Sequence, residues 1–273
     1  MKVSQKLRNK LQKYGTWALV TGASFGIGRE LSLSLAESGL NTILIARSTE
    51  KLELLKEEIQ AKYRVESVTL ATDLAGDFLQ GIIDISKDKD IGIVVASAGF
   101  GTSGYFVNSS IHEEVNMLDI NCKALLELTH FFANRFADQK RGGIILLSSM
   151  VAFQGVPFSA NYAATKAYVQ NLAEGLHHEL KPHNVDVLAA APGPVATSFG
   201  QRANMQMGNV LTPEQIAVPI LKALGKKMTV LPGTLTKTLV YALRTTPRWA
   251  KIKIMQKVMG SMTAHQRTTT GNK

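Results

Sequence analysis

The sequence predicts an α/β fold, a single doubly wound domain with a parallel sheet of about seven strands flanked by helices. Three observations carry this reading. Short apolar runs alternate with longer polar–apolar stretches through 15–234, the rhythm of successive strand–helix units. Two of the runs, Ile43-Leu44-Ile45 and Ile144-Ile145-Leu146-Leu147, are continuously apolar, as strands covered by helices on both faces must be. The first run also empties into a glycine-rich stretch, Thr21 to Gly28, that opens a helix.

Taken in order, strands are expected over 17–21, 42–46, 66–71, 91–96, 143–148, 184–190 and 228–231. Helices are expected over 26–38, 49–63, 75–87, 111–138, 159–181 and 213–224, where apolar residues recur at helical spacing. At 273 residues the chain suffices for one large domain and leaves little for a second. It divides into a basic amphipathic segment over 1–14, a folded body over 15–234 and a basic, Met-rich extension over 235–273. In the first segment Val3, Leu7, Leu11 and Tyr14 stand at helical spacing among lysines.

The net charge of +10 is unevenly placed. Residues 1–14 hold five basic side chains and 215–273 hold 11, with no acid in either stretch. The remainder, 15–214, carries a net −6. That asymmetry points to a partner for the ends rather than to a core that binds nucleic acid. In the extension, Trp249, Ile252, Ile254, Met255, Val258 and Met259 are mixed with Arg244, Arg248, Lys251, Lys253 and Lys257. Such mixing suits peripheral contact with an anionic membrane surface, an arm on the domain, or a second subunit.

Cys122 is the one cysteine, which excludes an internal disulfide framework. With no apolar segment behind the N-terminal basic residues, this fits a reducing, cytoplasmic compartment. No run of about 18 apolar residues is present to span a bilayer. No cluster has metal-ligand spacing, and the adjacent His177 and His178 read as surface or interface residues.

The glycines of Thr21-Gly22-Ala23-Ser24-Phe25-Gly26-Ile27-Gly28 allow a tight turn and let a helix N-terminus approach a phosphate without a Cβ in the way. The second strand ends in Ala46-Arg47-Ser48. An acid here would suit the ribose hydroxyls of NAD, whereas the Arg47 fork, with Ser48 as a second donor, suits a 2′-phosphate, so NADP (NADPH) is expected over NAD. Tyr162 and Lys166 stand at i and i+4, on one face of a helix. An ammonium beside a phenol favours phenolate and would make Tyr162 an acid or base near neutrality. Ser149 at a strand end and Asn121 in the preceding long helix can orient a carbonyl oxygen and relay a proton.

These motifs, in this order, resemble the short-chain dehydrogenase/reductase family over about residues 15–231, which implies a Rossmann-type domain. Thr21 to Gly28 is similar to its TGxxxGxG cofactor turn, and Asp73-Leu74 to the acid that contacts adenine. Ala96-Ser97-Ala98-Gly99 corresponds to its NNAG element, and Pro192-Gly193-Pro194-Val195-Ala196-Thr197 to PGxVxT, whose threonine contacts the nicotinamide carboxamide. Asn121, Ser149, Tyr162 and Lys166 match its catalytic tetrad. The resemblance implies that Tyr162 exchanges the proton and that Lys166 lowers its pKa and holds the nicotinamide ribose. It assigns Ser149 to the substrate oxygen and Asn121 to a water leading to Lys166. Two departures stand out: Ala96 and Ser97 replace two amide side chains, and Phe25 occupies a position where many NADP-dependent members carry a base.

In that family substrate lies beneath the segment after PGxVxT, here 198–211 with Phe199, Met205 and Met207. With Phe100, Phe153 and Phe158, this predicts an apolar pocket for a hydrophobic carbonyl or alcohol of steroid, retinoid, acyl or xenobiotic type. The expected activity is that of an NADP(H)-dependent oxidoreductase, a carbonyl reductase. The competing readings are a noncatalytic NADP-binding regulator and a membrane-surface scaffold. The resemblance also implies a homodimer or homotetramer formed through the helices near 111–138 and 159–181.

Overall fold

The computed structural model describes residues 2–208 and 210–268; Asn209 and 269–273, the end of the expected extension, lie outside the described residues. Seven parallel strands form the sheet: β1 (Trp17–Thr21), β2 (Asn41–Ala46), β3 (Ser67–Ala71), β4 (Ile91–Ala96), β5 (Gly142–Leu147), β6 (Val185–Ala190) and β7 (Thr229–Val230). Their order across it is β3-β2-β1-β4-β5-β6-β7. The chain therefore starts mid-sheet, runs outward to β3, returns to β4 beside β1, and runs outward again to β7. Loops leaving β1 and β4 part in opposite directions and open a crevice at the C-terminal edge of the sheet.

The first helices are α1 (Gln5–Leu11), α2 (Gly26–Glu37), α3 (Thr49–Tyr63), α4 (Leu79–Ser86), α5 (Ile111–Leu118) and α6 (Leu125–Gln139). After them come α7 (Ala160–Glu179), α8 (Ser198–Arg202), α9 (Pro213–Ala223), α10 (Thr234–Ala242), α11 (Arg248–Met262) and α12 (Ala264–Thr268). Alternation along β1 sends Ala18 and Val20 to one face and Trp17 and Leu19 to the other. The first face is covered by α1, α2, α3 and α9, and the second by α4, α6 and α7. Local chemistry starts the helices where the body needs them. Ser48 accepts the Lys51 amide at the head of α3, and Thr212 and Gln215 form a reciprocal capping box on α9, with Pro213 in its first turn.

The helix expected over 111–138 is interrupted. A π turn, Asp119–Ala124, separates α5 from α6, and within it Asn121 is fully buried. A period-based reading passes over one inserted residue, because the apolar stripe resumes on the far side.

The basic N-terminal segment is part of the body. Leu7 and Leu11 are buried in the same core as Leu35, Leu40 and Leu221. Arg8 donates to the Glu37 carbonyl at 2.9 Å, and Gln12 donates to that of Ser38 at 3.1 Å. The Tyr14 hydroxyl donates to Asp186 at the start of β6, 2.5 Å away. This segment thus sits at the N-terminal edge of the sheet, opposite the crevice. The C-terminal extension lies at the crevice. Met255 and Met259 of α11 are buried with Val156 and Ala163, and Gln266 donates to Ser103 Oγ at 2.8 Å and to the Asn204 carbonyl at 2.6 Å.

Leu11 is fully buried. Leu11→Ala should lower the unfolding free energy by about 2–5 kcal/mol in urea titration, the cost of an unfilled core site. A loss below about 1 kcal/mol would mean that α1 does not share the core.

Candidate active site

β1 delivers the chain into a turn that only glycine can make at three points. Gly22 and Gly26 have φ of 69° and 54°, in the left-handed region. A Cβ on Gly22 would lie 2.8 Å from the Ala98 amide nitrogen, on Gly26 2.7 Å from Thr197 Cγ2, and on Gly28 2.3 Å from the Gly22 carbonyl oxygen. The turn ends at Phe25, which caps α2 without a side-chain hydrogen bond, and no acid occupies the first turn of that helix. Its amides and positive dipole end therefore remain available to an anion.

The loop after β4 is held through its backbone. Thr21 Oγ1 accepts both the Ser97 and the Ala98 amides, each at 3.2 Å. Gly99 follows, and the chain turns at Phe100. Asn121 clamps that residue at both backbone groups: Oδ1 accepts its amide at 3.1 Å, and Nδ2 donates to its carbonyl at 2.8 Å. The same Nδ2 donates to Thr165 Oγ1 at 3.0 Å, and Thr165 donates to the Tyr162 carbonyl at 2.8 Å. Asn121 thereby joins the loop after β4 to the turn of α7 that carries Tyr162 and Lys166.

A cavity of about 790 Å³ fills the crevice. At one end lie Gly22, Ser24, Phe25, Gly26, Ile27 and Gly28, with Arg47, Ser48, Asp73, Leu74, Ala98 and Gly99. Ser149, Tyr162 and Lys166 stand along its wall beside Pro192, Gly193, Val195 and Thr197. The far end is apolar, with Phe100, Phe199, Met205 and Met207. Of the sequence-predicted residues, Asn121 is behind the wall, and Phe153 and Phe158 are not in the lining. For Phe158 the reason is its backbone: φ of 64° turns it away, edge-on to Tyr105 with ring centroids 5.2 Å apart. Phe153 ends the short 3-10 turn after Ser149, which carries it past the cavity.

Several lining residues escaped the sequence reading, among them Arg202, whose guanidinium stands 3.8 Å from the Phe100 ring centroid. Lys51, in the first turn of α3, holds its ammonium 3.9 Å from the Phe25 ring centroid. It supplies a cation at the place where Phe25 lacks one. Met255, Met259 and Met262 reach the apolar end from α11. Their i, i+4, i+7 spacing was the available signal, masked by the surrounding lysines.

Burial governs the titration of the reacting pair. It pushes the Tyr162 phenol up to about 12, opposed by hydrogen bonding from Ser149. It pulls Lys166 down to about 8, with Cys122 acting weakly in the other direction. The expected lowering of the phenol by Lys166 is not what this geometry produces. The ammonium donates to the Leu147 carbonyl at 2.8 Å and stands 5.8 Å from the Tyr162 ring centroid. Tyr162 instead packs on Phe199, centroids 5.1 Å apart.

Residues 16–208 match the family described as short chain dehydrogenase. A 7beta-hydroxysteroid dehydrogenase of Clostridium sardiniense is 30% identical over 234 residues, 84% of this chain and 90% of the relative. A structure solved in work on 7beta-hydroxysteroid dehydrogenase stereoselectivity has a TM-score of 0.83 at 27% identity, covering 90% of this chain and 98% of that one. A short-chain dehydrogenase from Sphingobium yanoikuyae in complex with NADPH has a TM-score of 0.76 at 29% identity, covering 83% and 91% respectively.

Lys166 has a folded pKa of about 8 against an ordinary 10.5. Below about 8 the folded protein carries the buried charge at a cost, which is relieved as pH rises to 10.5. Lys166→Met removes that cost, so its advantage over the parent in urea unfolding should shrink with rising pH across this window, by about 3 kcal/mol. A pH-independent difference would refute the burial argument.

Proposed function

The chain belongs to the short-chain dehydrogenase family, and on that premise we propose that it is an NADP(H)-dependent oxidoreductase interconverting a hydrophobic ketone and its alcohol. The observation that carries this reading is the position of Tyr162. It lies with Ser149 and Lys166 on one wall of the cavity, between the glycine turn and the apolar end. The glycine turn and the bare α2 N-terminus fit a pyrophosphate, and Arg47, Ser48 and Lys51 fit a 2′-phosphate. When bound, NADPH supplies the hydride.

The chain's own residues handle position and proton. Ser149 donates a hydrogen bond to the substrate carbonyl oxygen. The Tyr162 phenol gives its proton to that oxygen as the carbon receives hydride, so that ketone, hydride and proton make the alcohol; oxidation reverses each transfer. Lys166, charged below about pH 8, steadies the phenolate left behind. The methionine-lined apolar end fits a bulky, weakly polar substrate, and the likeness to 7beta-hydroxysteroid dehydrogenases makes a steroid the first class to assay. Exposed Ile111, Val115, Leu118 and Leu126 on α5 and α6 support self-association through that face.

The test is NADPH oxidation by the purified full chain with a panel of steroid, acyl and xenobiotic ketones. Tyr162→Phe should cut kcat about 10²–10⁴-fold with cofactor binding retained. Turnover unaffected by the substitution would sink the mechanism. Arg47→Asp should lower the NADPH-over-NADH ratio of kcat/KM at least about tenfold, and Lys51→Ala should lower it in the same direction.

A further inference from the structure

Helix α11 has two chemically different sides. Met255 and Met259 are buried in the body, whereas Trp249 is 65% exposed with Lys253 and Lys257 following it at helical spacing. The Lys253 ammonium stands 5.5 Å from the Trp249 ring centroid. On α10, Tyr241 is 59% exposed and Lys237, four residues before it, is exposed. Arg244, in the link between the helices, and Arg248, the first residue of α11, are exposed as well. Lys237 to Lys257 contains six basic residues and no acid. Interfacial aromatics beside solvated cations are what a lipid headgroup layer accepts.

The cavity opens through this same surface. Leu239, Ile254 and Val258 line the cavity and are also exposed on the arm. A second copy of the chain meeting this face would bring two cationic surfaces together, which is repulsive. The remaining basic segment cannot join it, since α1 packs at the opposite edge of the sheet.

We propose that α10 and α11 dock the protein on an anionic lipid surface. Trp249 and Tyr241 enter the headgroup layer, and Lys237, Arg244, Arg248, Lys253 and Lys257 face the lipid phosphates. Among the described residues no helix is long and apolar enough to cross a membrane, so the contact is with one leaflet. An apolar molecule dissolved in that leaflet would meet the cavity mouth without crossing water. That route rests on reading the cavity as a substrate site; the docking itself does not.

The experiment is co-sedimentation of the full chain with phosphatidylcholine vesicles with and without about 30% phosphatidylglycerol, read beside tryptophan emission. The second tryptophan, Trp17, is buried, so a blue shift reports Trp249. Expected are binding only to the anionic vesicles, weakening with salt, and a blue shift on binding. Arg248→Gln, Lys253→Gln and Lys257→Gln combined should lower partitioning at least about tenfold while leaving any turnover of a water-soluble ketone unchanged. Equal partitioning into both vesicle types, absence of binding, or full binding by the triple variant would overturn the proposal. So would an emission shift that follows protein concentration without vesicles, the result expected of a second copy.

Discussion

A single hydroxyl sets the spacing on which the crevice depends. Thr21 ends β1 in the middle of the sheet, where strand order reverses, and its Oγ1 takes two amide protons from the loop after β4. Thr21 is buried, while Ser97 and Ala98 are half-buried at the cavity, so losing that acceptor would leave two loop amides without their protein partner. The bond brings Gly22 so close to Ala98 that no side chain fits between them. The glycine turn and the loop after β4 are therefore one unit, joined through backbone amides and not through the side chains of Ala96 and Ser97.

From this unit the constraint passes outward through paired groups. Phe100 is held at both backbone atoms by Asn121, Asn121 reaches Thr165, and Thr165 closes on the Tyr162 carbonyl. Lys166 is fixed from the other side by the Leu147 carbonyl, and Ser148 donates to the Lys166 carbonyl at 3.1 Å. Such a frame holds a phenol and an amine in a dry wall, and dryness shifts their titrations in opposite directions. A phenol at about 12 keeps its proton at neutral pH. It gives the proton up only when a partner oxygen becomes strongly basic, which is the demand placed on an acid in carbonyl reduction. An amine near 8 is already mostly charged at neutral pH, so it meets an anionic neighbour as an ammonium.

The strand–helix alternation, the glycine turn and the alignment of Tyr162 with Lys166 on one helix were legible because each rests on local pattern. The buried central strands read as apolar runs, and i, i+4 spacing aligns two side chains on any regular helix. The failures share a different cause. The π turn at Asn121 changes helix phase by one residue without altering composition. Phe158 leaves the cavity because of a left-handed backbone that no propensity marks for phenylalanine. Lys51 gains its place from the ring of Phe25, 26 residues earlier, a pairing that depends on how β1 and β2 lie together.

Charge is the property that sequence order misrepresents most. Two basic ends look like one feature when read along the chain, yet the fold sends α1 to the N-terminal edge of the sheet and α11 to the crevice. At the first place cations are tied to carbonyls: Arg8 to Glu37, and Lys10 to Leu224. At the second they surround an exposed tryptophan on a helix whose other side is the cavity wall. Met255 and Met259 have flexible side chains, so the wall can adapt to differently shaped apolar molecules without unseating the helix. One helix of 15 residues thus carries both the cationic outer surface and part of the cavity wall.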